Sequence, residues 1–435
     1  MKKINNFLTE NINKIFIIFL FSQPIIDVLT AISLTILKID LTIGIIVRII
    51  FMLLCMYYIF FITKSSKRKL SITYLSIIIL YIISFVINTL VLKGTGAILY
   101  EIKNMIKTFY FPIVLVAIYN LYEENKLDVD RKLLVKLFSI YLALVFVPNI
   151  LHIGFKSYAI TKGGQIGFFY TANEISAILS ILMPLFIYAL LEKKNILLLV
   201  NSLIILLYVL TSMGTKGPLL CFGIILIYYF IKLIIKEVKK KKYKNLVGIF
   251  LSLIFVLVAT ITLIPKTEFY KNIVVHLDFL EVESVSDIIT SPKVLDHFIF
   301  SQRLTFWSNT NNSYKNSTLS EKLLGIGYIE NYGTDEVNAK MIEMDYIDIF
   351  YRHGIIGTIT YMASYLYMFI LIIKKLTKKS LKNNQIQILI LSILLSIILT
   401  LLTGHVITSP SVSIYVALII NLLYNELRKC NIWKN

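Results

Sequence analysis

Unbroken apolar stretches, each long enough for a helix to cross a bilayer, recur along nearly the whole chain and leave few folds open. A hydrocarbon core of about 30 Å requires roughly 17 to 25 residues of helix. We place about twelve such crossings, near 15–37, 43–63, 72–92, 106–122, 133–153, 175–191, 195–213, 217–235, 246–264, 348–373, 386–403 and 409–427. Helices are the spans to expect, because backbone amides in lipid must bond within their own segment and the alternation of a membrane barrel is absent. Among 435 residues, 57% are hydrophobic and 16% charged, and the mean hydropathy is +0.78, outside the range of an ordinary soluble domain. The expected fold is all-α, a polytopic transmembrane helix bundle. The fourth and sixth runs are short, and GAILYEIKNMIK (96–107) reads as a re-entrant or interfacial helix leading into the fourth.

Charge placement orients the bundle. With a cytoplasmic N-terminus, the segments on that side hold 28 of the 44 lysines and arginines, and the short loops on the other side hold 7. That asymmetry is the positive-inside pattern, and an even number of spans returns the C-terminus to the cytoplasm. The net charge of +19 therefore reports topology and anionic lipid, not nucleic acid, since KEVKKKKYK (236–244) has no aromatic stacking platform around it. The first run is too long for a signal peptide and contains Pro24 and Asp27, so an uncleaved first span is expected. Cys55 and Cys221 fall in spans and Cys430 in the tail, which gives neither an outside disulfide nor a zinc spacing.

Three regions follow: a nine-span bundle over 1–264, an extracytoplasmic loop domain over 265–347, and three spans with a cytoplasmic tail over 348–435. The loop is acidic, with 12 carboxylates against 7 cations up to Asp345, and long enough to be expected to fold as short helices over the outer mouth. TLSEKLLGIGYI (318–329) shows only an imperfect capping spacing from Ser320 to Lys322, so its helix is weakly specified.

Polar residues next to outer span ends are the candidates for chemistry. Read as a helix, EMDYIDIFYRHGIIG (343–357) places Asp348 and Arg352 at i, i+4 with Asp345 one turn back; the pair either stabilises the helix start or faces substrate. Glu343 falls on another stripe without an ionic partner at helical spacing, a setting suited to a general base. Lys216, between Gly214 and Gly217 at a helix start, is a ready anion site or an exposed loop lysine. Arg303 lies one turn before Trp307, either as a site cation or as an interfacial residue beside an aromatic belt. Asp27 and Arg48 lie in the outer halves of neighbouring spans, as a clasp or as substrate contacts. Asn173 and Glu174 head the sixth span, to cap it or to bind sugar hydroxyls. His353 and His405 read as helix-end or packing residues, and Asp128 and Asp130 as solvated loop.

Taken together, GTKGP (214–218), QRLTFW (302–307), LLGIGY (323–328) and the closing Gly354 and Gly357 resemble, in order and topological side, the O-antigen ligase and O-antigen polymerase superfamily of bacterial membrane glycosyltransferases. The resemblance covers most of the chain and implies a GT-C-like enzyme of the bacterial plasma membrane. Two departures stand out: Glu343 occupies the position of the histidine found in some members, and Lys216 that of an arginine. The resemblance implies a polyprenyl-diphosphate-linked oligosaccharide donor and a glycan acceptor, with a flippase and a chain-length regulator as further partners. Lys216, Arg303 and Arg352 would meet the diphosphate without metal or other cofactor, and Glu343 would take the acceptor proton. A polysaccharide polymerase is the leading expectation. The alternatives are a ligase moving finished glycan to another acceptor and, in a different class, a transporter of lipid-linked sugars, which would call for pseudo-symmetric halves and charge near mid-membrane.

Overall fold

The structure, a computed structural model, describes residues 2–39, 43–94, 98–158, 162–241, 262, 264–280, 282, 291–329 and 342–432. The helices, in chain order, are α1 (Lys2–Thr35), α2 (Ile43–Tyr57), α3 (Arg68–Lys93), α4 (Ile98–Glu123), α5 (Arg131–Ile150), α6 (Ala172–Glu192), α7 (Ile196–Ser212) and α8 (Lys216–Lys239). After the break come α9 (Glu268–Phe279), α10 (Pro292–Leu295), α11 (Arg303–Lys315), α12 (Leu319–Leu324), α13 (Asp345–Lys375), α14 (Asn384–Leu402) and α15 (Pro410–Ile432). Ten helices among the described residues are long and apolar enough to cross a membrane, and α7 is a shorter apolar helix. The chain is a helical membrane bundle. The expected span at 246–264 falls almost wholly outside the described residues.

Two helices form the centre. The most apolar window of α4 is 83% buried and that of α15 is 89% buried, against 22% for α8. Small residues explain α15: Ser411, Ser413 and Ala417 let its neighbours approach, and Asn421 Nδ2 donates to the Leu115 carbonyl at 3.1 Å. Where helices face outward they carry exposed Ile and Leu, as at Leu80 and Ile227, the surface that lipid covers. Helix starts at the terminus-bearing end are capped by Asp130 and Asn195, each accepting an N–H three residues on, so Asp130 is a cap and not merely solvated. Arg428 meets Glu123 at 3.3 Å and the Tyr122 carbonyl at 2.8 Å at the same end.

The fourth and sixth spans are longer than expected. Residues 98–107 do not form a separate re-entrant helix; they are the first turns of α4, unbroken to Glu123. Glu101 is buried in that stretch. Its carboxylate accepts the N–H groups of Tyr328 at 2.8 and 2.9 Å and of Ile329 at 3.1 Å, and pairs with Lys93 at 3.2 Å, anchoring the 326–329 loop on α4. The α12 start is better specified than the Ser320 spacing suggested, because the box is made by Thr318 and Glu321, with reciprocal bonds of 3.3 and 2.8 Å.

Helix α13 is interrupted at Gly354, whose φ of 63° and ψ of −169° leave the helical region. The interruption receives the LLGIGY loop: Ile326 N–H donates to the Tyr351 carbonyl at 3.0 Å and Gly327 N–H to that of Arg352 at 3.1 Å. A Cβ on Gly354 would stand 2.5 Å from Gly325 N, so the left-handed turn and the close approach both require glycine there.

Candidate functional site

At the end of the bundle opposite the chain termini lies a cavity of about 700 Å³, walled by α1, α2, α4, α6, the first turns of α13 and the 405–411 segment. Asp27, Arg48, Asn173, Glu174, Glu343, Asp345 and Arg352 all line it; Lys216 and Arg303 do not.

Its carboxylates are engaged by the protein. Asp27 forms an ion pair with Arg48 and accepts from Tyr141 Oη at 2.9 Å, while Arg48 Nε donates to Gln23 at 2.9 Å. Glu174 accepts from Ser409 Oγ at 2.5 Å. Asp345 accepts the N–H groups of His405, Val406 and Ile407 at 2.7, 2.8 and 2.8 Å, that of Thr408 at 3.4 Å, and the Thr408 hydroxyl at 2.9 Å. Asp345 thus shapes the wall by holding the α14–α15 connection.

Two expectations about residues 343–357 are corrected. The helix starts at Asp345, and Glu343 stands before it with φ 59°, so helical spacing does not decide its neighbours. Its carboxylate has an ionic partner from far along the chain: Arg303 Nη2 reaches it at 2.9 Å, and Arg303 Nε donates to the Glu343 carbonyl at 3.0 Å. The i, i+4 bridge between Asp348 and Arg352 does not form. Asp348 accepts the N–H groups of Ile342 and Glu343 at 3.1 and 2.8 Å, curling the chain before α13, while Arg352 turns the other way.

Arg352 is 1% exposed and donates from Nη1 to the Gly327 carbonyl at 3.0 Å. Its Nε and Nη2 are buried without a hydrogen-bond partner among the described residues. Lys103 and Lys107 of α4 line the same cavity, and neither has a hydrogen-bond or ion-pair partner among those residues. An isolated charge removed from water costs several kcal/mol unless something pairs with it. The lining carries carboxylates as well as cations, but the unused Arg352 donors and the two α4 lysines give the cavity a place where an anion can be held.

The remaining candidates have the following contacts. Lys216 is not an exposed loop lysine: its ammonium is held by the Phe298 carbonyl and lies 4.0 Å from the centre of the Phe298 ring. Arg303 is 8% exposed and also donates to the carbonyls of Phe300 and Thr403 at 3.2 and 3.4 Å, so it ties the loop helices to the end of α14. Trp307 Nε1 donates to Tyr351 Oη at 3.0 Å. Buried His353 bridges the hydroxyls of Tyr81 at 3.1 Å and Tyr328 at 2.8 Å. His405, read as a helix-end or packing residue, follows the end of α14 and stands on the cavity wall. Beyond the cavity, burial with Lys162 and Lys216 nearby lowers the His276 pKa to about 4, which keeps that imidazole neutral.

The O-antigen ligase like membrane protein family matches residues 9–292 and 286–430, nearly the full length. The chain belongs to that family. No curated protein sequence matches it. This family member is therefore a multi-pass membrane protein of the glycan-transferring class.

Lys103 and Lys107 are the residues that sequence reasoning missed. Their signal was legible as two lysines one helical turn apart, but attributing 96–107 to an interfacial helix sent them to solvent. Exchanging Lys107 for glutamine should raise the donor KM about tenfold or more, the worth of one charge-assisted hydrogen bond, with the melting temperature unchanged. A KM within twofold of the parent enzyme would remove Lys107 from the site.

Proposed function

We propose that this protein is a polysaccharide polymerase, transferring glycan from a polyprenyl diphosphate carrier to the end of another glycan at the extracytoplasmic face of the bacterial plasma membrane. The observation that carries the reading is the buried, half-unpaired Arg352 guanidinium opposite Lys103 and Lys107 in one cavity. A lipid-linked diphosphate takes up the donors that the protein leaves unused, and its tail can leave between the outer helix ends.

Attack of the acceptor hydroxyl on the anomeric carbon breaks the bond to the phosphate oxygen, and the electron pair leaves with the lipid diphosphate. Arg352, Lys103 and Lys107 meet that developing charge. Glu343 marks the acceptor side of the cavity, fixed by Arg303. Asn173, Glu174 and the Asp27–Arg48 pair line the remaining wall and offer donors and acceptors to sugar hydroxyls. Lys216 supports the site from outside by holding the 296–300 turn. Protein cations do the charge work, and no metal or cofactor is required.

The test uses purified protein in bilayers given lipid-diphosphate oligosaccharide as both donor and acceptor. Free lipid diphosphate and a ladder of longer glycans are expected, unchanged by chelator. Glycan crossing the bilayer with no new bond would make the protein a transporter, and single transfer to a different acceptor would make it a ligase. The sidedness, with 265–347 as an outer module between the 1–264 and 348–435 bundles and both termini cytoplasmic, is checked by labelling a cysteine introduced at Ser317. Reaction only from the cytosolic side would overturn it.

A further inference from the structure

The proposed transfer releases one proton from the acceptor hydroxyl, and the cavity holds one side chain suited to receive it that is not otherwise engaged. His405 stands on the wall shared with Glu343, and its ring has no hydrogen-bond partner among the described residues. The backbone presenting it is unusual. His405 takes φ 56° and follows Gly404 at φ 63°, two positive-φ residues in succession, a backbone that few non-glycine residues adopt and that histidine tolerates better than most.

The conformation is imposed from two directions. Asp345 captures the N–H of His405 and of the three residues after it. The Gly404 backbone presses on Glu343 so closely that an added Cβ would lie 2.5 Å from the Glu343 carbonyl oxygen. Arg303 fastens both sides of that contact, bonding Glu343 at 2.9 Å and the Thr403 carbonyl at 3.4 Å. Strain held in place by so many bonds, at a cavity wall, is the pattern of a positioned functional group. Glu343, by contrast, is already committed to Arg303.

We propose that His405 is the base that takes the acceptor's hydroxyl proton, with Glu343 orienting that hydroxyl beside it. This rests on the glycan-transfer reading above. As the acceptor oxygen bonds to the anomeric carbon, its proton moves to a ring nitrogen of His405 and the electron pair of the broken bond departs on the diphosphate. Water at the cavity mouth then removes the proton. Imidazole suits the task because it changes charge near neutral pH. The charged groups that line the cavity with it are Glu343, paired with Arg303, Asp345, Asp348 and Arg352 on α13, Glu174 on α6, the Asp27–Arg48 pair on α1 and α2, and Lys103 and Lys107 on α4.

The experiment measures lipid-diphosphate release against pH in the reconstituted system. Asparagine and glycine both accept left-handed backbone, so His405→Asn and His405→Gly keep the loop. His405→Asn should lower turnover about 10²- to 10³-fold with little change in donor KM, and the fall in rate on the acid side should vanish from what remains. Added imidazole should restore part of the His405→Gly rate, whereas Glu343→Gln should keep the acid-side fall. His405→Asn at half the parent rate or more, or a residual rate with the acid-side fall intact and no imidazole response, would overturn the proposal. Parent protein that releases no lipid diphosphate at all would instead sink the transfer reading.

Discussion

Replacing Arg352 with glutamine is expected to abolish nearly all glycan transfer while leaving the protein as stable as before, or more so. The two outcomes separate because this guanidinium is poorly served by the fold. Only Nη1 has a partner, the Gly327 carbonyl, and Nε and Nη2 are buried without one. Removing that bond costs about 1.5–3 kcal/mol, the range for a charged donor, whereas removing a buried, half-unpaired cation relieves a desolvation penalty of several kcal/mol. The activity loss should reach 10²- to 10³-fold, the scale of deleting one group aimed at developing charge. Thermal unfolding in detergent and turnover in bilayers, measured on the same preparation, test both halves. A lowered melting temperature with turnover within twofold of the parent would make Arg352 a structural residue.

The opposite result is expected at Asp345, which lines the same cavity 1% exposed. Its carboxylate holds four consecutive N–H groups and a hydroxyl, so Asp345→Ala leaves several buried donors without an acceptor. The cost is on the order of 3–5 kcal/mol, as for breaking a buried charged contact from one side. Transfer should fail as a consequence, because the segment presenting His405 loses its shape. Hydrogen exchange resolves the cause: amides 405–408 should lose protection before the flanking helices do. Protection equal to the parent's would show that the segment is held by other means.

The helical bundle was readable from the sequence because apolar length is a local property, and ten of the helices expected on that ground are present as membrane-length helices. Boundaries near charge were read less well. Residues 96–107 were read as a re-entrant or interfacial helix, yet α4 runs from Ile98 to Glu123, and partners of its buried Glu101 lie on α3 and on a loop more than two hundred residues away. The site was read as a set of residue types, not as a set of contacts. Glu343 looked unpaired because pairing was sought at helical spacing, and its partner Arg303 is forty residues earlier. Asp348 and Arg352 looked paired for the same reason. Their side chains diverge because the 342–343 amides claim one and the Gly327 carbonyl the other. His405 was set aside because nothing local distinguishes it; only the Asp345 contacts and the left-handed backbone do so.

The interruption of α13 at Gly354 has a mechanical side. Residues 345–353 are moored by hydrogen bonds to the 326–327 loop, while 355–375 bury one face, with Tyr361 and Tyr365, in the bundle and turn Ile359 and Leu366 outward. The left-handed glycine thus separates two jobs within one helix: the turns before it are aligned by the loop, and the turns after it by the neighbouring spans.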